Sequence, residues 1–419
     1  MNSKALSQSI KALTANPVRT VLTTLGIVIG IATVIAVLSA GAGFQSLINN
    51  EIASLGNDTL FIKTRVPPTT KNRAANTFGV SGGLSPGIAV GITTFTQRDL
   101  DDIKKLNNVA NDYGEVTGMA VASYRDNNKS AIYYGASYEK FSIDQHQLAE
   151  GRFYTQAEDA GASQVVILGN SIAKDLFVQD DPLGKLLRVG NLNFLVIGVY
   201  KAQGGGDTGP DGGLYVPLKT AQYKMLGINY ITIGVVQLKN INLADATAAE
   251  ITATMEHNHN ITDPAKNDFL VVTQAQVLGI YDTIFNGITI LLICIASISL
   301  VVGGVGIMNI MYVVVTERTA EIGLKKALGA KNSDILREFL IESILVTVLG
   351  GVIGILFGTL LSWLVAYVAS YAGLTWIFTV PLYAIVIAVG VSATIGLSFG
   401  VLPARSAAKL DPVEALRYE

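Results

Sequence analysis

Three stretches of the chain contain no Asp, Glu, Lys or Arg: Thr20–Asn50, Thr283–Thr316 and Ser343–Ala404. Within the first, VLTTLGIVIGIATVIAVL (Val21–Leu38) is long enough to cross a bilayer. Continued as a helix to Asn50 it reaches ~46 Å at 1.5 Å per residue, beyond a ~30 Å hydrocarbon core, so a stalk leaving the membrane is predicted. Residues 283–316 exceed one span and are too few for two. The 62 residues of 343–404 hold two, split by the polar-aromatic turn SYAGLTWIFTVP at Ser370–Pro381. Four transmembrane helices are therefore predicted, at 20–44, 283–316 (with a stalk), 334–369 and 381–403, with 370–380 as a short external loop. The first is not expected to be a cleaved signal: its apolar stretch is too long, and no small-x-small pattern is placed sensibly after it.

Between the first two spans the pattern changes. Alternating or continuous apolar runs predict strands at Val116–Tyr124, Ala131–Gly135, Gln164–Leu168, Phe194–Tyr200, Tyr230–Leu238 and Phe269–Thr273. Amphipathic helices fit Gln97–Leu106, where Thr96 and Asp99 have capping-box spacing, and Leu243–Met255 after Asn242. Arg65–Ile92 and QGGGDTGPDGG (Gln203–Gly213) read as loops. Residues 45–282 are thus expected to form a large α+β domain, in two lobes. Their 19 basic and 24 acidic residues give 19 − 24 = −5.

Composition agrees. The 419 residues are 50% hydrophobic and only 15% charged, against about 25% charged in a typical globular chain. The chain reads as an α-helical integral membrane protein with a large extracytoplasmic domain between helices 1 and 2. A net charge of −2 lacks the basic excess that nucleic-acid binding requires. The single cysteine, Cys294, excludes an intrachain disulfide or CxxC site and is expected as a buried, inert thiol. Lys4, Lys11 and Arg19 precede the first span; Arg318, Lys325, Lys326, Lys331 and Arg337 separate the second from the third; Arg405, Lys409 and Arg417 follow the fourth. Basic residues favour the cytoplasmic side, so both termini and 317–342 are expected inside and 45–282 outside.

No Gly-x-x-x-x-Gly-Lys-Ser/Thr loop is present, and the only Gly-Lys pair, Gly184-Lys185, is followed by Leu186. These residues are not expected to hydrolyse ATP themselves. Ser81-Gly82-Gly83 reads as a chance likeness to an ABC signature loop. Of three histidines, His257 and His259 alternate beside Met255 and Glu256, a spacing that can clasp a soft metal but is more simply a solvated helix end. His146 stands apart, and no metal or catalytic site is expected. The spans hold no ionisable group for proton or ion coupling. Small residues recur at spacing four, as Gly26 and Gly30, Gly350 with Gly354 and Gly358, and Gly396 and Gly400, and are candidates for helix packing.

Thr316–Ala330, TERTAEIGLKKALGA, follows the second span. Glu321 with Lys325 and Arg318 with Glu321 are helix-supporting pairs, Gly329 suits a left-handed helix end, and Asn332 or Ser333 suits the cap of the next helix. A short, charged helix with a sharp turn is expected here. Ser3–Ala15, with Leu6, Ile10 and Leu13 on one stripe, suits an amphipathic interfacial helix across 1–19.

ERTAEIGLKKALGA, the opening SIKALTANPVRTVLTTLGIVIGIATVIAV and the ending LPARSAAKLDPVEALRYE together resemble the permease of MacB-type ABC transporters, in the MacB/FtsX-like superfamily. AEGRFYTQAED (Ala149–Asp159), VVILGNSIAKDLF (Val165–Phe177) and NFLVIGVY (Asn193–Tyr200) resemble its extracytoplasmic domain. The resemblance is to the split form, without a fused ATPase domain. It implies a non-catalytic permease subunit in the bacterial cytoplasmic (inner) membrane, paired as a homodimer or with a related permease, and binding a cytoplasmic ABC ATPase that carries the ATP and Mg. An extracytoplasmic adaptor protein and membrane lipids complete the expected partners. It further implies that Glu317, Arg318, Glu321, Ile322, Gly323, Lys325, Lys326 and Gly329, within the coupling segment 317–333 and before the tail 404–419, contribute to the ATPase interface. The implied activity is mechanotransmission that drives export of a drug, peptide or lipid. Lipoprotein extraction of the Lol type and FtsX-like signalling to an external hydrolase are the alternatives.

The orientation is open to thiol labelling in a Cys294→Ser background. A membrane-impermeant reagent applied to intact cells should label cysteines placed within 45–282 and spare those within 317–342. Labelling of both from one side would remove the basis of the assignment.

Overall fold

The computed structural model describes residues 17–54, 56, 58–67, 92–178, 180–202, 210–371, 374 and 376–417. The expected interfacial helix at Ser3–Ala15, Ser81-Gly82-Gly83, and most of the predicted loops 65–92 and 203–213 lie outside these residues. The chain divides into two compact units, one containing the long apolar helices and the other spanning Leu47–Tyr281.

Among the described residues, four long helices are apolar enough to cross a membrane: α1 (Pro17–Ser54), α6 (Gln274–Glu317), α8 (Asn332–Tyr371) and α9 (Leu382–Lys409). At 44 residues, α6 runs ~66 Å at 1.5 Å per residue, so it outreaches a bilayer as its uncharged stretch predicts. Tight backbone approaches hold the bundle. A Cβ on Gly26 of α1 would stand 2.7 Å from Cα of Gly303 on α6, and one on Gly30 would strike Leu300. Gly354 and Gly358 of α8 lie against Ile31, Ala32 and Ile35 of α1, where a Cβ on Gly358 would meet the Ala32 carbonyl oxygen at 2.7 Å. Gly396 and Gly400 of α9 receive Thr347 and Ser343 of α8, and Gly350 is buried on α8. The buried serine hydroxyls between α8 and α9 are satisfied, with Ser343 Oγ donating to the Gly396 carbonyl at 2.8 Å and Ser392 Oγ to that of Thr347 at 3.2 Å. Cys294 is exposed rather than buried. It shares the outer side of α6 with Leu291, Ile295 and Ile298, as expected where a helix faces lipid instead of a neighbour.

In the intervening domain the ten strands are β1 (Thr59–Thr64), β2 (Val109–Tyr124), β3 (Asn127–Ala136), β4 (Leu148–Gly151), β5 (Val165–Leu168), β6 (Leu186–Val189), β7 (Leu192–Tyr200), β8 (Gly213–Pro217), β9 (Ile233–Leu238) and β10 (Phe269–Thr273). They are joined in the order β10-β1-β9-β2-β3-β8-β5-β7-β4, with β6 bridging β2 and β7. The pairings β2–β3–β8–β5–β7–β6–β2 therefore close a ring, parallel at β3/β8 and β5/β7 and otherwise antiparallel. Inside it Val116, Leu187, Phe194, Val196 and Leu214 pack with Ile172 and Leu176 of α4 (Asn170–Phe177). A second core gathers Leu60, Ile62, Leu100, Val236, Ile251 and Phe269, covered by α2 (Gln97–Ile103) and α5 (Ala244–Asn258). The two lobes share β2, whose residues 109–115 pair with β9 and 115–124 with β3. The Thr96–Asp99 capping box is present. A second one, Thr155 with Glu158, opens α3 (Gln156–Ala160).

Asp112 sits in the half of β2 that pairs with β9, buried, with Lys104 Nζ 3.8 Å away. Desolvation outweighs that cation and pushes its carboxyl up to about 6. A raised carboxylate pKa favours folding while the group is protonated, and the advantage is lost as pH rises from the ordinary carboxylate range through 6. Asp112→Asn should therefore stabilise the protein above pH 6 by on the order of 2 kcal/mol and change little below pH 4, as read by thermal unfolding in detergent.

Candidate coupling site

After Glu317 the chain breaks at Arg318 and restarts as α7 (Thr319–Ala327), then turns at Gly329 and enters α8. Gly329 has φ = +97°, the left-handed conformation that lets the Gly329 and Ala330 N–H groups return to the Lys326 and Lys325 carbonyls. The cap of α8 is not provided by Asn332 or Ser333; Asp334 instead accepts from the Lys331 N–H at 3.2 Å. With only two turns available, α7 is held from its sides.

Arg318 donates from Nε to Glu321 at 2.9 Å and from Nη1 to Glu342 of α8 at 3.2 Å, and its guanidinium lies over the Phe339 ring. Lys325 Nζ lies 3.0 Å from Glu321 and 2.8 Å from Glu338 of α8. The Arg318 hydrogen bond holds the Glu321 carboxyl below its usual range against a smaller desolvation effect, with Lys325 adding to it. Burial pulls the Lys325 ammonium down, but the Glu338 and Glu321 pairs outweigh it and raise its pKa. Lys326 Nζ donates to the Ala408 and Leu410 carbonyls at 2.9 and 2.6 Å, filling acceptors at the end of α9. Gly323 faces α10 (Pro412–Arg417), where a Cβ would stand 2.8 Å from that of Ala415.

The eight sequence-picked residues thus divide. Arg318, Lys325 and Lys326 are engaged within the chain, and Ile322 and Gly323 are buried. Glu317, Glu321 and Gly329 reach the surface. The exposed large apolar side chains here are ones the sequence reading passed over: Leu324 and Leu328 on α7, the latter 81% exposed, and Val413 and Leu416 on α10. Leucine in a helical stripe ordinarily signals core; only the packing of α7 by its charged and glycine positions reveals the reversal.

The metal spacing near the end of α5 does not assemble. Met255 is buried in the core, His257 is exposed, and His259 turns inward. Among the described residues no group of three or more His, Cys, Asp or Glu could hold a metal ion. A buried ionic knot that the sequence did not disclose lies where β2 passes between lobes. Lys140 Nζ is 3.0 Å from Glu115 and 3.5 Å from Asp144, and lies over the Tyr113 ring.

The profile of the MacB-like periplasmic core domain matches residues 20–254, and that of the FtsX-like permease C-terminal region matches 293–412. The chain belongs to the MacB-like permease family. Among its MacB-like relatives, the macrolide export ATP-binding/permease protein MacB of Chlorobaculum tepidum is 37% identical over 98% of this chain. That of Bdellovibrio bacteriovorus is 34% identical over 99%. The chain spans 61% of the length of each. The periplasmic region of MacB from Actinobacillus actinomycetemcomitans matches with a TM-score of 0.44 at 21% identity, covering 57% of this chain and 98% of that one. The extracellular domain of the ABC-type transporter YknZ from Gram-positive bacteria matches with a TM-score of 0.40 at 19% identity, covering 52% and 100%. Four spanning helices in a MacB-like permease make this a multi-pass membrane protein.

Gly323→Ala should loosen α10, seen as faster amide exchange across 411–417 with α6 unchanged. Adding Ala415→Gly should restore protection, because it removes the methyl that the new Cβ meets.

Proposed function

We propose that this chain is the permease subunit of an ABC exporter, moved by ATP and Mg bound on a cytoplasmic ABC ATPase subunit and passing that motion to its extracytoplasmic domain. The observation that carries this reading is the exposure of four large apolar side chains, Leu324 and Leu328 on α7 and Val413 and Leu416 on α10, on two helices that pack together at Gly323 and Ala415. Large apolar side chains left exposed on two short helices beyond the end of a spanning helix suit a protein partner better than water. The Arg318, Lys325 and Lys326 contacts tie α7 to α8 and α9, so that a push on α7 reaches the spans as a unit. This refines the expected interface: Glu317, Leu324, Leu328 and Gly329 would touch the ATPase, while Ile322, Gly323, Lys325 and Lys326 hold the helix in place.

The uncharged spans support mechanotransmission over a polar tunnel through the bundle, since they offer no ionisable group for an ion-driven cycle. The named relatives are macrolide exporters, which favours export of a drug, peptide or lipid. The proposed setting is the bacterial inner membrane, with both termini cytoplasmic, two permeases per transporter and an adaptor on the outer domain.

Leu324→Asp and Leu328→Asp should each weaken ATPase co-purification in mild detergent roughly tenfold or more, the effect of losing an interface anchor, while membrane insertion is kept. Undiminished recovery of the ATPase with the double variant would refute the docking role. Charge reversal at Lys325 or Lys326 is a poorer test, because it also breaks internal contacts.

A further inference from the structure

Three elements of the intervening domain meet at His259, just past the end of α5. Its side chain is 4% exposed, with Nδ1 2.8 Å from Asp268 Oδ1 and Nε2 facing Asp99 Oδ2 at 3.6 Å. The ring stands edge-on to Phe269, at 5.7 Å and 85°. Asp268 immediately precedes β10, and Asp99 is the capping-box residue of α2.

Each carboxylate is held by further donors. Asp268 Oδ2 accepts from Thr94 Oγ1 at 2.6 Å; Asp99 Oδ2 accepts from the Thr96 N–H at 2.8 Å, and its Oδ1 from Asn258 at 3.0 Å. The remaining charged groups around the cluster come from the same elements. On α2, Asp102 shares Asn258 and lies within the field of Arg98. On α5, Glu256 accepts from Asn267, His257 is exposed, and beyond β1 Arg65 donates to the Asn267 carbonyl at 3.1 Å. A ring held between two carboxylates is favoured as imidazolium. The Asp99 carboxylate facing Nε2 raises the His259 pKa, burial opposes, and the hydrogen-bonded Asp268 adds to the rise. At Asp99 burial pushes the carboxyl up, but the facing His259 ring and the hydrogen bonds from Thr96 and Asn258 outweigh it and hold it at about 2.

A raised histidine pKa contributes stability that is complete below the unfolded value of about 6.5 and is lost as pH rises through the folded one. The depressed Asp99 contributes above about 4 and is lost as pH falls toward 2. The cluster is therefore at full strength in mildly acidic surroundings and weakens on the alkaline side.

Its position gives this weakening a consequence. Among the described residues β10 is an edge strand paired with β1, and it runs directly into α6, whose first turn is capped by reciprocal bonds between Thr273 and Gln276. We propose that His259 is a pH-sensitive latch: its imidazolium clamps the start of β10 to α2 and to the end of α5, and loss of its proton frees the strand that leads into α6. The latch works on the domain's own geometry, whichever motor drives the spans.

Hydrogen exchange of the full-length protein in detergent at pH 6 and pH 8.5, corrected for intrinsic rates, tests it. Protection across 256–273 should fall at the higher pH while that of 186–200 in the ring holds. His259→Gln should leave 256–273 weakly protected at both pH values, with the pH response gone. An unchanged wild type, or a His259→Gln protein that keeps the response, overturns the proposal. Should His259→Gln not fold, Asp268→Asn takes its place: with one carboxylate removed, release should move to lower pH, and an unmoved midpoint overturns the latch equally. Asp112 is not the source of this signal, because Asp112→Asn should leave the alkaline response intact.

Discussion

Helices surrounded by lipid gain nothing by hiding apolar side chains from one another, since the surroundings are as apolar as the contact. The membrane unit therefore depends on how closely its backbones approach. Helix α1 occupies the centre of these contacts, with Gly26 against Gly303 on one side and Ala32 against Gly358 on another. Ile27, Ile31 and Ile35 are almost wholly enclosed as a result. The serine hydroxyls of α8 and α9 close the remaining gaps and lose no hydrogen bond in doing so. Contacts of this kind tolerate little slack, so α1 cannot stay still while α6 shifts beside it.

At the α7 end the usual arrangement is inverted, with charge inside and leucine outside. Arg318, Lys325 and Lys326 spend their hydrogen bonds on α8 and on the end of α9, which leaves Leu324 and Leu328 facing outward. A charged surface would be satisfied by water; this one gains by being covered. The polar joint to the bundle and the exposed leucines consequently occupy opposite sides of the same nine-residue helix.

The spans were legible because charge is absent over whole bilayer widths, a signal that tertiary packing cannot disguise. Long strands such as Leu192–Tyr200 showed themselves through unbroken apolar runs. The first half of β2 did not, because Asn111, Asp112 and Glu115 interrupt its pattern and are accommodated only by partners such as Lys104 and Lys140. Gly213–Pro217 is too short and too fully buried to alternate. At the candidate site, the glycine turn and ion-pair spacing could be read directly. Which face of α7 meets the bundle could not, since both sides carry charge and the decision lies with Ala415, Glu338 and the carbonyls of α9. His259 reads as a solvated helix end until Asp99 and Asp268, 160 and 9 residues away, are brought to it.

The sixteen residues of β2 serve both cores of the intervening domain, with no loop between the half that pairs with β9 and the half that pairs with β3. A flexible connector would let each lobe swivel on its own; a hydrogen-bonded strand resists bending in the plane of its sheet. Torque applied to one lobe would thus reach the other through a continuous strand, as in one stiff body and not in a pair of hinged jaws.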